Sequence, residues 1–212
     1  MFNRKEYKSI AKKQLKGRKS TAVISTLIVF LISLLISASP EVPASLSTFI
    51  FFLSLAINGI LVIAQSRLYL VYFQTREQVQ FDEFLKGFSL WIKGALACLW
   101  YVMWVFLWSL LFIIPGIVKA ISYSQMFFIL AENPGLEVNK AMKISKVMTH
   151  GHKADLFVMG LSFIGWELLA CLTLGILQLW ITPYQFMSYT NAYKGMKIEA
   201  LRTGVLTQED FS

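Results

Sequence analysis

Charged residues are scarce in this sequence. They make up 15% of its 212 residues, whereas hydrophobic residue types make up 56%. A soluble domain carries about 25% charged and roughly 45–50% apolar residues, and a fold of this size exposes too much surface to hide the excess. The composition therefore excludes a soluble domain, and it equally excludes a disordered chain or a coiled coil. It predicts an integral membrane protein.

Cysteine and histidine are also few, at two residues each. Two cysteines cannot build the framework of a disulfide-rich secreted module. His150 and His152 stand near Asp155, but a metal site needs three or four ligands, so we expect no metal and no cofactor. No motif aligns a nucleophile with a base, and no glycine-rich phosphate loop is present. The sequence thus predicts a protein that is not an enzyme.

The few charges leave three long apolar blocks. Residues 20–66, 94–131 and 156–193 contain one charged residue each. As single helices these blocks would be about 57–70 Å long, whereas a hydrocarbon core ~30 Å thick is crossed by roughly 20 residues. Each block must therefore fold back once, which predicts an all-α polytopic membrane protein with six transmembrane helices arranged as three hairpins.

Turn residues indicate where the blocks fold back. The run Ser39-Pro40-Glu41-Val42-Pro43 divides the first block, Pro115-Gly116 the second and Gly175 the third. The predicted spans are about 20–39, 45–66 (with a helical extension to about 73), 92–114, 116–132, 155–174 and 176–194. The fourth span is short and contains Lys119. A helix kinked at Pro115 with a re-entrant continuation is the competing interpretation.

Lysine and arginine residues set the orientation. Nineteen of the twenty lie before, between or after the hairpins, eight of them in residues 1–19. Because basic residues stay on the cytoplasmic side, both termini, including the tail 195–212, are predicted to be cytoplasmic. The basic segment is tied to a span, so we expect anionic lipid headgroups and not nucleic acid as its partner. The alternative is that these charges only fix the topology. The candidates are Lys5, Lys8, Lys12, Lys13, Lys16, Arg18 and Lys19.

The segments before the three hairpins resemble one another. Each carries apolar residues three and four positions apart, as on one face of a helix, and each enters its hairpin through a lysine. A Gly-Ile-Leu or Gly-Ile-Val motif recurs at Gly59, Gly116 and Gly175, 57 and 59 residues apart. We interpret the chain as three copies of one unit, a cytoplasmic amphipathic helix followed by two spans. The alternative is a chance recurrence in apolar sequence.

Five stretches carry a family resemblance. They are LFIIPGIVKAISYS at 111–124, ILAENP at 129–134, GHKADLF at 151–157, LSFIGW at 161–166 and LTLGI at 172–176. In this order they resemble an uncharacterised family of multi-pass membrane proteins from Gram-positive bacteria, domain of unknown function nine-seven-five. The resemblance implies a six-helix fold in the bacterial cytoplasmic membrane and brings no reaction, cofactor or site. Glu167 and the run Gln125-Met126-Phe127-Phe128 depart from the family pattern.

Polar residues inside the apolar blocks indicate where function could reside, since they are costly in a bilayer. They are Lys119, Glu167, Asn58, Tyr123, Gln125 and Asn191. We predict a non-enzymatic accessory or scaffold module that binds lipid or another membrane protein, with a small transporter or lipid-translocating protein as the alternative. A lateral hydrophobic groove would favour the module, and a polar cavity at the midplane would favour transport.

Two further expectations concern side chains within the spans. Lys119 and Glu167 are close enough in depth to form an ion pair if the fourth and fifth spans face one another. In the alternative, Lys119 extends outward to the interface and Glu167 is protonated or accepts from Gln or Tyr donors. Cys98 and Cys171 are predicted in opposite leaflets, too far apart for a disulfide, and therefore as free thiols.

Overall fold

The computed structural model describes residues 2–37 and 43–211, and all regular secondary structure in these ranges is helical. The α-helices are α1 (Arg4–Leu15), α2 (Lys19–Ser37), α3 (Ala44–Gln74), α4 (Asp82–Gly87), α5 (Trp91–Leu111), α6 (Ile113–Tyr123), α7 (Met126–Glu132), α8 (Val138–Met148), α9 (Lys153–Leu172) and α10 (Gln178–Arg202). Short 3-10 helices lie at Phe88–Leu90 and Gln208–Phe211. The predicted all-helical class is confirmed.

Five helical segments are long and apolar enough to cross a membrane. They are Lys19–Ile36, Leu46–Gln74, Asp82–Leu111, Ile113–Glu132 and Lys153–Leu172. These segments correspond to the first five predicted spans. The sixth, 176–194, is helical within α10 but is not among them, because α10 carries many polar residues. Ser188, Thr190 and Asn191 are buried inside the bundle, so these side chains do not face lipid.

Of the first two predicted turns, the structure describes the second in full and only the last residue of the first. The first predicted turn, Ser39-Pro40-Glu41-Val42-Pro43, lies outside the described residues except for Pro43, which directly precedes α3. The second turn is at Phe112, whose extended backbone separates α5 from α6. The prediction at Pro115-Gly116 placed it three residues too late, because a proline is tolerated within the first turn of a helix.

The third fold-back lies where the sequence predicts it. Leu174 and Gly175 both have positive φ, 53° and 84°, and the Gly175 amide donates to the Ala170 carbonyl at 2.8 Å. This left-handed conformation after α9 is the usual way in which glycine ends a helix. Leu174 shares it although its Cβ makes that conformation unfavourable.

The predicted fourth span consists of two helices, with a break at Ser124 and Gln125 between α6 and α7. The carbonyl of Ser122 lies just before this break and accepts from two hydroxyls at the C-terminal part of α8: Ser145 Oγ at 2.8 Å and Oγ1 of Thr149, the residue that directly follows α8, at 3.3 Å. A helix broken within a bilayer must satisfy its freed backbone groups from neighbouring elements. Here α8 supplies those donors.

Three short helices pack against other helices of the bundle in a repeating order that α1 closes. Helix α4 packs on α3, α8 packs on α7, and α1 packs on α10. The following long helices do the same, with α5 on α3, α9 on α6 and α2 on α10. Helices α3, α7 and α10 consequently contribute to the buried core, where Tyr69 stacks on Phe186 and Phe128 stacks on Tyr193.

Two close contacts fix this order. A Cβ atom on Gly59 of α3 would lie 2.1 Å from the carbonyl oxygen of Gly94 in α5, so only glycine permits this approach of two helix backbones. Helix α1 runs alongside α9, with Arg4 donating to the Val158 carbonyl at 3.5 Å and Lys8 donating to Ser162 Oγ at 2.9 Å. The predicted basic helix is therefore docked along the bundle.

Candidate functional site

A groove along α5 brings together two of the six polar residues predicted within the apolar blocks, Lys119 and Tyr123. Its wall consists of Trp100, Trp104 and Trp108, which lie four residues apart and thus on one face of α5. The groove has a volume of about 500 Å³. We call it the tryptophan groove.

The charges in the tryptophan groove come from two elements. Lys119 belongs to α6, and its Nζ lies 4.2 Å from the centroid of the Trp108 ring and 6.0 Å from that of Tyr123. Lys143 and Lys146 of α8 line the same groove and are exposed. Within the described part of the chain, neither forms an ion pair or a hydrogen bond.

The lining includes no carboxylate, so the groove carries three positive charges without a counter-charge among the residues described. The indole faces attract a lysine ammonium through their quadrupole, as Lys119 on Trp108 does. Such contacts do not neutralise the charge. An anionic group with an attached apolar portion is complementary to both halves of this surface.

Sequence reasoning predicted Lys119 and Tyr123 but missed Lys143 and Lys146. Lysines between hairpins were explained by the orientation of the chain alone. The three tryptophans at four-residue spacing are a sequence signal that could have located the groove, because this spacing places their rings on one face of a helix.

Lys119 and Glu167 form no ion pair in the described structure. Glu167 Oε2 instead accepts from Gln178 Nε2 at 3.0 Å, which is the alternative with a glutamine donor. The Lys119 ammonium instead forms cation–π contacts with the aromatic rings of Trp108 and Tyr123. The two charges thus belong to separate local environments.

The remaining predicted polar residues do not enter the tryptophan groove. The Asn191 side chain donates to Gln14 Oε1 at 2.9 Å and to the Tyr7 carbonyl at 3.3 Å, which joins α10 to α1. Gln125 is buried and donates to Ser124 Oγ at 2.9 Å. Asn58 is exposed and donates to a backbone carbonyl of its own helix.

The basic residues predicted for lipid contact fall into two groups. Lys8 and Arg18 have protein partners: Lys8 Nζ also lies 4.0 Å from the Phe163 ring centroid, and Arg18 Nη1 donates to the carbonyls of Thr75 and Glu77, at 2.7 Å each. Burial and the neighbouring charges Arg4 and Lys12 lower the pKa of the Lys8 ammonium. The exposed members are Lys5, Lys12, Lys13, Lys16 and Lys19.

The histidine and cysteine residues show ordinary environments. His152 Nδ1 lies 3.8 Å from Asp155 Oδ2, and its Nε2 lies 3.7 Å from Glu199 Oε2. Within residues 2–37 and 43–211, no group of three potential ligands could hold a metal ion. Cys98 and Cys171 are free thiols, as expected from their positions.

Five helices that could span a membrane, with polar groups gathered in grooves between them, define a helical membrane protein. The model of the family "Protein of unknown function (DUF975)" matches residues 1–127 and residues 96–200. The chain belongs to this family. No curated protein and no solved structure matches the chain.

Proposed function

We propose that the chain is a non-enzymatic membrane module that binds an anionic phospholipid in the tryptophan groove. The observation that carries the proposal is the convergence of Lys119, Lys143 and Lys146 beside three indole rings, with no carboxylate in the described lining. As an accessory or scaffold module, the protein would present this lipid to, or share it with, another membrane protein.

The two halves of the groove fit the two halves of a lipid. The phosphate would lie among the lysine ammonium groups, each contributing about 1 kcal/mol near an anionic surface. An acyl chain would lie across the indoles of Trp100, Trp104 and Trp108, whose rings combine an apolar face with a polar N–H. Tryptophan and tyrosine also prefer the membrane interface, where a headgroup is found.

The proposal includes a topology of six spans with both termini in the cytoplasm of a bacterium. The family match, the five apolar segments and the burial of the polar residues of α10 support it. The proposal also includes an internal repeat of a basic helix and a hairpin, which is supported by the recurring Gly-Ile-Leu or Gly-Ile-Val motif at Gly59, Gly116 and Gly175. A single cysteine at His152, in a cysteine-free variant, should react with an impermeant thiol reagent only after permeabilisation.

Lipid binding can be measured by native mass spectrometry of the purified protein titrated with phosphatidylglycerol or phosphatidylcholine. We expect tighter binding of phosphatidylglycerol. The double substitution Lys143→Gln and Lys146→Gln should weaken its tightest site roughly 30-fold, which is about fivefold for each lysine. The matched control is Lys5→Gln with Lys16→Gln, which removes two exposed charges outside the groove.

Equal losses in the groove variant and in the control would contradict the proposal, since binding would then follow net charge alone. Equal affinity for both lipids would contradict it as well.

One cavity favours the alternative, a small transporter. A space of about 270 Å³ lies between α3, α7 and α10. Its lining combines uncharged polar residues, among them Ser66, Gln125 and Gln185, with apolar residues such as Phe127 and Phe128. A transport pathway predicts that a cysteine at Gln125, in a cysteine-free variant, reacts with thiol reagents added from either side of the membrane. The lipid-binding module predicts protection from both sides.

A further inference from the structure

A second groove lies where the first two helices meet the last two. Its lining includes Lys12 and Lys19 from the N-terminal segment and Trp166, Trp180 and Ile181 from α9 and α10. Its volume is about 360 Å³, and the rest of its lining is predominantly apolar. We call it the N-terminal groove. Like the tryptophan groove, it has lysines, aromatic rings and no carboxylate in its described lining.

The two grooves are built in the same way. In each, a basic helix lies beside a pair of long helices. Helix α8 lies beside α5 and α6, which precede it in the chain, and α1 lies beside α9 and α10, which follow it near the other end of the chain. One lysine of each groove, Lys12 and Lys146, holds the same position relative to the lysine that begins the next long helix. Lys12 stands seven residues before Lys19, and Lys146 stands seven residues before Lys153.

The buried face of the two basic helices follows the same register. Ala11 and Leu15 lie eight and four residues before Lys19, and both are buried. Ser145 and Thr149 hold the same positions relative to the lysine that begins α9, and both are buried too. The two basic helices therefore present corresponding faces to the bundle. Of the groove lysines, Lys12 and Lys146 occupy corresponding places, whereas Lys153, the counterpart of Lys19, does not line the tryptophan groove.

We infer that the N-terminal groove is a second binding site for an anionic phospholipid, an inference that rests on the proposed function of the tryptophan groove. The headgroup phosphate lies between Lys12 and Lys19. An acyl chain follows the apolar wall past Ile181 toward Trp166 and Trp180. Both lysines are exposed, and neither has a hydrogen bond or ion pair within the described residues.

Lys12 is positioned at the groove by an aromatic ring. Its Nζ lies 5.5 Å from the centroid of the Tyr184 ring, a cation–π distance that leaves the ammonium donors available to a phosphate. The apolar wall distinguishes a phospholipid from free phosphate, because inorganic phosphate would leave that wall without a partner. The site therefore selects an anion that carries a hydrocarbon chain.

A lipid in this position connects the two ends of the chain. Lys12 and Lys19 flank the turn between α1 and α2, whereas the apolar wall belongs to the last hairpin. The bound lipid thus stabilises the contact between the first and last units of the bundle.

The test is a native mass spectrometry titration of the full chain with phosphatidylglycerol. We expect two tightly bound lipids. Lys12→Gln with Lys19→Gln should remove one of them, with a loss in affinity of roughly 30-fold. Lys143→Gln with Lys146→Gln should remove the other, and the fourfold variant should lose both. The control Lys5→Gln with Lys16→Gln should retain two.

Two lipids bound to the Lys12 and Lys19 variant with unchanged affinity would overturn the second site. One lipid lost in that variant but none in the Lys143 and Lys146 variant would support the second site and contradict the proposed function of the first groove. Inorganic phosphate in excess should leave both lipids bound. Displacement of the lipid from the N-terminal groove by phosphate would overturn the assignment to a phospholipid.

An independent measurement reports on the acyl chain. Phosphatidylglycerol brominated on its chains quenches tryptophan fluorescence on contact. One component of this quenching should come from lipid in the N-terminal groove, and the Lys12 and Lys19 variant should lose it. The double substitution Trp166→Phe with Trp180→Phe should lose the same component. Unchanged quenching in the tryptophan variant would overturn the placement of the chain.

Discussion

The end of the bundle near Glu132 and the turns that follow α5 and α9 are stabilised by different kinds of contact. The Glu132 carboxylate accepts from the Tyr193 hydroxyl and pairs with Lys194 at 2.7 Å and Lys197 at 3.0 Å. At the turns, by contrast, Ile113 is 76% exposed and Leu174 is 88% exposed.

This difference indicates which region of the bundle determines how the helices are arranged. Ion pairs and hydrogen bonds are directional, so the contacts of Glu132 fix α7 against α10 in one register. At the turns, the hydrogen bond from Gln178 to Glu167 joins α9 to α10, but the apolar side chains that the turns expose make no such contacts, and hydrocarbon can cover them in many orientations. We expect substitutions at the Glu132 cluster to affect stability more than substitutions at the turns.

The largest effect is expected from Glu132→Gln. The side chain of Glu132 is only 19% exposed and those of its two lysine partners 13% each, so removing the carboxylate charge leaves two shielded ammonium groups without a counter-charge. Breaking such a pair costs about 3 kcal/mol of unfolding free energy, measured by denaturant unfolding in detergent. Glu137→Gln, an exposed acid nearby, serves as the control and should change stability by less than about 0.5 kcal/mol.

A smaller effect is expected within the second hairpin. A Cβ on Gly116 would lie 2.1 Å from Ser109 Oγ and 3.1 Å from Ser109 Cα, so Gly116→Ala forces α5 and α6 apart. Overpacking of this kind costs about 1–3 kcal/mol. Gly165→Ala is the matched control, since no atom lies within 4 Å of its added Cβ. A loss at Gly116 equal to that of Glu132→Gln would contradict the contrast between the two regions.

Sequence patterns predicted the helical class and the turn at Gly175, and they singled out Lys119 and Tyr123, which the structure brings together in one groove. These follow from local properties, namely apolar run length, glycine geometry and the cost of polar groups in lipid. The break at Ser124 and Gln125 and the two grooves were not predicted. They depend on which helix packs against which, and this is set by contacts between residues far apart in the chain, such as Ser145 with Ser122.

Lys119 and Glu167 test whether charges near the turns are as strongly coupled as those around Glu132. Because no ion pair joins them in the described structure, the effects of Lys119→Met and Glu167→Leu on thermal stability should add. We expect the double variant to match the sum of the single variants within about 0.5 kcal/mol. A coupling energy clearly above this value would show that the two side chains meet.

The smallest effect is expected from Leu174→Asn, and its sign is opposite. Leu174 has a φ of 53°, a conformation that costs a residue with a branched side chain roughly 1 kcal/mol and that asparagine tolerates better. The substitution should raise the unfolding free energy by up to about 1 kcal/mol. Leu172→Asn is the control, because Leu172 is similarly exposed but belongs to α9. Stabilisation by both substitutions would assign the gain to polarity instead of backbone conformation.

The packing of α1 on α10 also constrains the order in which the protein can be assembled. Helix α1 precedes every other helix described, whereas α10, against which it packs, comes after all the other α-helices. Before α10 is synthesised, Ala11 and Leu15 can pack only against those residues of the same buried cluster that precede α10, such as Ala64 and Leu68 of α3. The contact between α1 and α10 is therefore among the last that the described bundle can form during synthesis.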